Sequence, residues 1–102
     1  MPESVCINRL IIVGTRADVK ACSESSWEQA IQAKHVELLE ACPKRMAWQF
    51  ETGAKPPLHW LPEVSWRWPK LTFLLDYEEE KARFKGLAKA KSGAVEHYRI
   101  NY

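Results

Sequence analysis

The chain has 102 residues, 46% of them hydrophobic and 27% charged, with a formal net charge of +2. That length holds one core and not two, and the composition excludes a disordered chain. A charge of +2 does not by itself call for a polyanionic partner, and no apolar run approaches the roughly 20 residues that span a bilayer.

In chain order, Ile7 to Val13 (INRLIIV) is a β-rich apolar run closed by Gly14, with aliphatics on both faces as in a central strand. Thr15-x-x-Asp18 and Ser25-x-x-Glu28 are capping signals, so helix is expected within Ala17 to Ala33, with a break around Ser23–Ser26. Val19, Cys22, Trp27, Ala30 and Ile31 form its predicted buried side. Lys34 to Glu40 fits either the end of that helix or a strand, because periodicity does not separate the two over so short a run. Cys42-Pro43-Lys44 reads as a hairpin turn. Met46, Trp48 and Phe50 alternate with Ala47, Gln49 and Glu51, a strand with one apolar face.

Pro56-Pro57 precedes a short helix expected from Leu58 or His59, since proline is welcome only in a first helical turn. Leu58, Leu61, Val64, Ser65 and Trp68 share one helical face, and Pro69 ends the helix. Leu71 to Tyr77 alternates as a strand, and Glu78 to Glu80 ends it in solvent. Ala82 to Lys91 alternates again, with Lys81, Arg83, Lys85, Lys89 and Lys91 on one face and small or aromatic residues on the other. Ser92-Gly93 is a turn, and Ala94 to Ile100 is the last strand. If Lys34 to Glu40 is a strand, the first six elements read βαββαβ, the order of a ferredoxin-like sandwich.

Several motifs then match a known family in order and spacing. They are the run MAWQFET from Met46 to Thr52, Pro56-Pro57 with Trp60-Leu61, Trp68-Pro69 with Leu71 and Phe73, Tyr77 with Glu79, and Phe84 with Gly86. Together they resemble the C-terminal ferredoxin-like domain of the YubB-type (Api-like) proteins of plasmids, phages and other mobile elements. The resemblance covers roughly the last two-thirds of the chain, and it favours a strand at Lys34 to Glu40. It implies a fold and a mobile-element setting, and it brings no catalytic residues. Two departures stand out. The family's segment between the first and second strands is longer, and its TAWxPP loop carries a tryptophan where this chain has Thr52 to Pro57 without one.

The expected fold class is therefore α+β: a ferredoxin-like sandwich, βαββαβ plus an extra C-terminal strand, with two helices on one face of an antiparallel-rich sheet and one domain over residues 1–102. Cys6, Cys22 and Cys42 are widely spaced, odd in number and form no CxxC pair, so they read as thiols of a reducing cytosol rather than a disulfide frame or zinc site. His35, His59 and His97 are scattered. The N-terminal MPESVCINRL has no basic and apolar leader pattern, and a cytoplasmic protein without metal or cofactor is expected.

Four site readings compete with ordinary surface. Lys81, Arg83, Lys85, Lys89 and Lys91, joined by Arg99, could track a nucleic-acid backbone, or simply be solvated lysines that block strand pairing. His59, Trp60 and Trp66 could border a ligand pocket or partner surface, or cap the seam between helix and sheet. Asp76 and Glu78 to Glu80 could hold a hard cation or act as an acid–base pair, but consecutive strand residues face opposite ways. Gly14-Thr15-Arg16 could hold an anion at a helix start. No nucleophile–base constellation occurs, so the chain is expected not to be an enzyme. The leading expectation is an interaction module that self-associates, as a dimer, through the sheet face left bare by the helices, with Leu74 and Leu87 on that face.

Overall fold

A computed structural model describes residues 4–102; Met1 to Glu3, the first residues of the stretch read for a leader, lie outside the described residues. The elements are β1 (Cys6–Val13), α1 (Arg16–Ser23), α2 (Trp27–Ala30), β2 (Lys34–Cys42), β3 (Arg45–Thr52), α3 (Trp60–Arg67), β4 (Thr72–Glu79), β5 (Phe84–Lys91) and β6 (Ala94–Asn101). The strands form one antiparallel sheet in the order β2-β3-β1-β4-β5-β6. The first four strands in space, β2-β3-β1-β4, are laced by α1, α2 and α3, and β5 and β6 extend the sheet beyond β4.

Lys34 to Glu40, open on periodicity and favoured as strand by the family resemblance, is strand. Other expectations are corrected. Two strands follow the βαββαβ core, not one, and three helices are present among the described residues, not two, because the expected first helix breaks at Glu24–Ser26. Thr15 caps α1 as its spacing implies: its Oγ1 accepts from the Asp18 amide at 3.3 Å and donates to Asp18 Oδ2 at 2.8 Å. Ser25 does not cap α2. Its hydroxyl turns back to the Cys22 carbonyl at 2.6 Å, and Ser26 takes the position in a left-handed conformation, φ 59°, without a side-chain bond. β5 starts at Phe84 rather than Ala82, because residues 80–83 form the turn out of β4, with Arg83 left-handed at φ 60°.

Period two decides the two faces. From β1, Cys6, Asn8, Leu10 and Ile12 point toward the helices and are buried. They meet Trp48 and Phe50 of β3 and Phe73, Leu75 and Tyr77 of β4. Trp27 is the hub where helix meets sheet, with ring centroids 4.9 Å from Trp48, 5.4 Å from Phe50 and 6.2 Å from Trp60. α3 contributes Trp60, Leu61, Val64 and Ser65 to the buried side. Leu58 and Trp68, expected on that stripe, are half-buried at its margin, and Ala30 is exposed. No helix among the described residues is long and apolar enough to cross a membrane.

Candidate functional site on the open sheet face

The helices cover one side of the sheet, so every second residue of each strand is left on the other. The register places these residues in rows across the strands, at about 4.7–4.9 Å per strand. One row reads Glu51, Ile7, Glu78, Lys85 and Ile100; the next reads Gln49, Arg9, Asp76, Leu87 and Tyr98; a third reads Ala47, Ile11, Leu74, Lys89 and Glu96. The first two rows line a groove of about 860 Å³ that ends at the Glu80–Lys81 turn. Its apolar walls stand in solvent: Leu87 is 56%, Ile100 57% and Tyr98 67% exposed. Leu74 is half-buried on the same face.

Charge on this face is mixed. Arg9 stands opposite Asp76, Glu78 opposite Lys85, and Lys89 opposite Glu96. Desolvation by the groove raises the Asp76 carboxyl, and Arg9 opposes that shift. The groove is thus an amphipathic surface with alternating signs rather than a field of one sign.

The expected basic stripe divides. Lys85, Lys89 and Lys91 lie on the open face, exposed. Lys81 and Arg83 sit on the turn before the strand. Arg99 points to the helix side, its guanidinium carbon 3.9 Å above the Phe84 ring, because it pairs with Gly86 in register and so shares the face of Tyr77. The expected His59–Trp66 pocket also divides. Trp60 is core, in edge contact with Phe73 at 6.3 Å. His59 borders a small pocket of about 170 Å³ with Ala30, Trp60, Glu63, Val64 and Arg67. Trp66 is 74% exposed and lies over Gly93, away from that pocket. The Gly93 amide donates to Ser65 Oγ at 3.0 Å, which fixes the β5–β6 turn beneath the helix.

The acidic run is split by the pleat. Glu79 is buried on the helix side, where its carboxylate accepts from the Ala82 amide, while Asp76 and Glu78 face the groove. No group of three metal-ligating side chains forms among the described residues. Gly14 packs against the Leu71 side chain, and Thr15 spends its hydroxyl on α1.

On the helix side lies a polar cluster that the sequence did not announce. Asn8 donates to Thr52 Oγ1 at 3.0 Å, and Thr52 donates to the Lys55 carbonyl at 2.8 Å. Burial, and then the Glu79 charge, push the Cys6 thiol up to about 11. Burial likewise lifts Cys22 to about 11. All three cysteines are free, and Cys42 alone is exposed. Tyr77 Oη lies 2.5 Å from His97 Nε2, and burial raises its hydroxyl. A side chain at Gly86 would put Cβ 2.5 Å from that hydroxyl, so the Tyr77 ring needs a glycine beside it.

Comparison with family models decides the kinship: residues 26–101 match the ferredoxin-like domain of Api92-like proteins. The chain belongs to this family. The match spans α2 to β6, so β1 and α1 fall outside it even though β1 is a central strand of the sheet. The family domain therefore supplies the open-face groove except the β1 residues Ile7, Asn8 and Arg9 and the preceding Val5. No curated protein and no solved structure matches the chain.

Proposed function

We propose that this Api92-like domain is a non-enzymatic interaction module that self-associates through its open sheet face, two copies stacking groove to groove. The observation that carries the reading is the exposed cluster of Leu87, Tyr98 and Ile100 on the neighbouring strands β5 and β6, with Ile7 across the same groove, on a face that no helix covers. A contiguous exposed apolar patch favours burial against a partner. The occupant argued for is a second copy, because the face holds cations and anions in nearly equal number, with Arg9 and Lys85 flanking Asp76 and Glu78, so that stacked copies can set cations of one against anions of the other. Light scattering across a dilution series tests it. A mass of two chains at micromolar concentration is expected, and a constant 11.8 kDa species refutes it.

The nucleic-acid reading loses support from the same rows. Lys85 and Lys89 stand opposite Glu78 and Glu96, which neutralises the track a phosphate backbone needs. Binding to single-stranded DNA that falls with salt would restore it. The cytoplasmic setting belongs to the proposal and rests on three unpaired thiols. The mobile-element setting rests on the family resemblance, and the neighbourhood of the coding sequence tests it.

A further inference from the structure

The sheet ends in two edge strands, and only one is defended against further pairing. β2 breaks register between Lys34 and Glu37 and again between Leu38 and Glu40, and His35 takes a left-handed φ of 53°. Such bulges twist an edge away from an incoming strand. β6 pairs with β5 without a shift from Ala94 to Asn101. It holds no proline, no lysine and no residue of positive φ. Its far edge meets no described strand. A long, regular edge of this kind, with Glu96 and Arg99 as the charged side chains of its strand, is a template for an added strand.

The side chains that flank this edge sort by face. Tyr98 and Ile100 stand exposed on the open side. His97 and Arg99 stand exposed on the helix side, and both are held in place: His97 by the Tyr77 hydroxyl and Arg99 by the Phe84 ring. Neither is ion-paired with a carboxylate among the described residues. We propose that the free edge of β6 docks an extended strand from a partner protein, one whose residues alternate apolar and acidic. In an antiparallel pair, opposed side chains lie about 5 Å apart on the same face. Acidic side chains of the added strand therefore meet Arg99 and His97, while its apolar ones continue the Tyr98–Ile100 row. A second copy of β6 does not supply this chemistry, because a two-fold antiparallel pairing keeps each face and sets the helix-side residues Val95, His97, Arg99 and Asn101 only against one another, and none of them is a carboxylate for Arg99. The edge thus shares Tyr98 and Ile100 with the groove proposed for self-association, and Arg99 on the helix side is what the two do not share.

The test is fluorescence anisotropy with a labelled eight-residue peptide alternating valine and glutamate, against the same peptide with lysine for glutamate. The glutamate peptide is expected to bind about tenfold tighter than the lysine peptide. Arg99→Glu is expected to reverse that order, and Arg99→Gln to abolish it, with circular dichroism unchanged in both. Methylating the backbone nitrogens that face the edge is expected to remove binding. Absence of binding at millimolar protein, equal binding of both peptides, a preference indifferent to Arg99→Glu, or binding that survives backbone methylation each overturns the proposal. Loss of peptide binding in the self-associated fraction of the protein, isolated by gel filtration, assigns the edge to a second copy and overturns it as well.

Discussion

Replacing Leu87 with lysine separates the stability of the fold from the stability of the proposed dimer. Leu87 is 56% exposed on the open face, directly opposite Asp76 in the register. In a single chain the substitution removes little buried surface and places a cation beside an anion, so folding stability is expected to move by no more than about 0.5 kcal/mol. In a groove-to-groove dimer the same side chain becomes buried. Full burial of a leucine is worth about 1.5–3 kcal/mol, and slightly more than half of that remains to be gained at a site already partly covered, about 1–1.5 kcal/mol per copy. A symmetric dimer counts the loss twice, which makes about 2–3 kcal/mol, or roughly 30- to 150-fold in the dimer Kd. A cation trapped in the interface adds to that figure, so it is a lower bound. Sedimentation velocity over a dilution series reads the Kd, and urea unfolding below the Kd reads the fold. An unchanged Kd in a stably folded variant refutes stacking through this face.

Three further predictions follow from the core, the thiols and the groove. Trp27 touches Trp48, Phe50 and Trp60, and its indole Nε1 is buried without a partner. Trp27→Ala is expected to cost about 3–5 kcal/mol, whereas Trp27→Phe is expected to cost clearly less, because it also removes an unmade hydrogen bond worth about 1–3 kcal/mol. Equal losses in urea melts would contradict this account. With Cys6 and Cys22 both buried and raised to about 11, a disulfide reagent at pH 8 is expected to label Cys42 rapidly in the native protein, and all three thiols only after unfolding. Rapid labelling of a Cys42→Ser variant would contradict it. Asp76, raised above its ordinary 3.8 by desolvation, binds its proton more tightly in the folded chain. Its share of stability is then intact below 3.8 and is lost as pH rises through the raised value. The melting temperature of Asp76→Asn minus that of the parent is therefore expected to grow from pH 4 to pH 7, and a constant difference would refute the assignment.

Much of the layer architecture is legible in residues alone, and the reasons are local. Met46, Trp48 and Phe50 alternate over enough residues to fix a face. Proline marks the entry and exit of α3 without competition from other signals. Lys34 to Glu40 is ambiguous in sequence for a physical reason: as part of β2 it is an edge strand whose residues are all exposed or half-buried, so no burial pattern is imposed on its sequence, and its bulges blur what period remains. The early break of the first helix was readable from its two serines, but not which serine starts α2. Ser25 and Ser26 are chemically alike, and the choice falls to a left-handed backbone that only tertiary contacts stabilise.

The open face was half legible, and the missing half followed from one turn. Ser92 and Gly93 pass directly from Lys91 to Ala94, and a two-residue hairpin loop fixes every pair behind it. Counting back from that turn sets Leu87 against Tyr98 and Lys85 against Ile100. The same count sets Arg99 against Gly86, away from the lysines. The alternation of Lys85, Lys89 and Lys91 invited Arg99 onto their face because both strands have period two. Parity across the turn sends it to the other side. One loop of two residues thus puts an apolar groove edged by mixed charges on one face and Arg99 on the other. The proposed self-association draws on the first, and the proposed strand docking draws on Arg99.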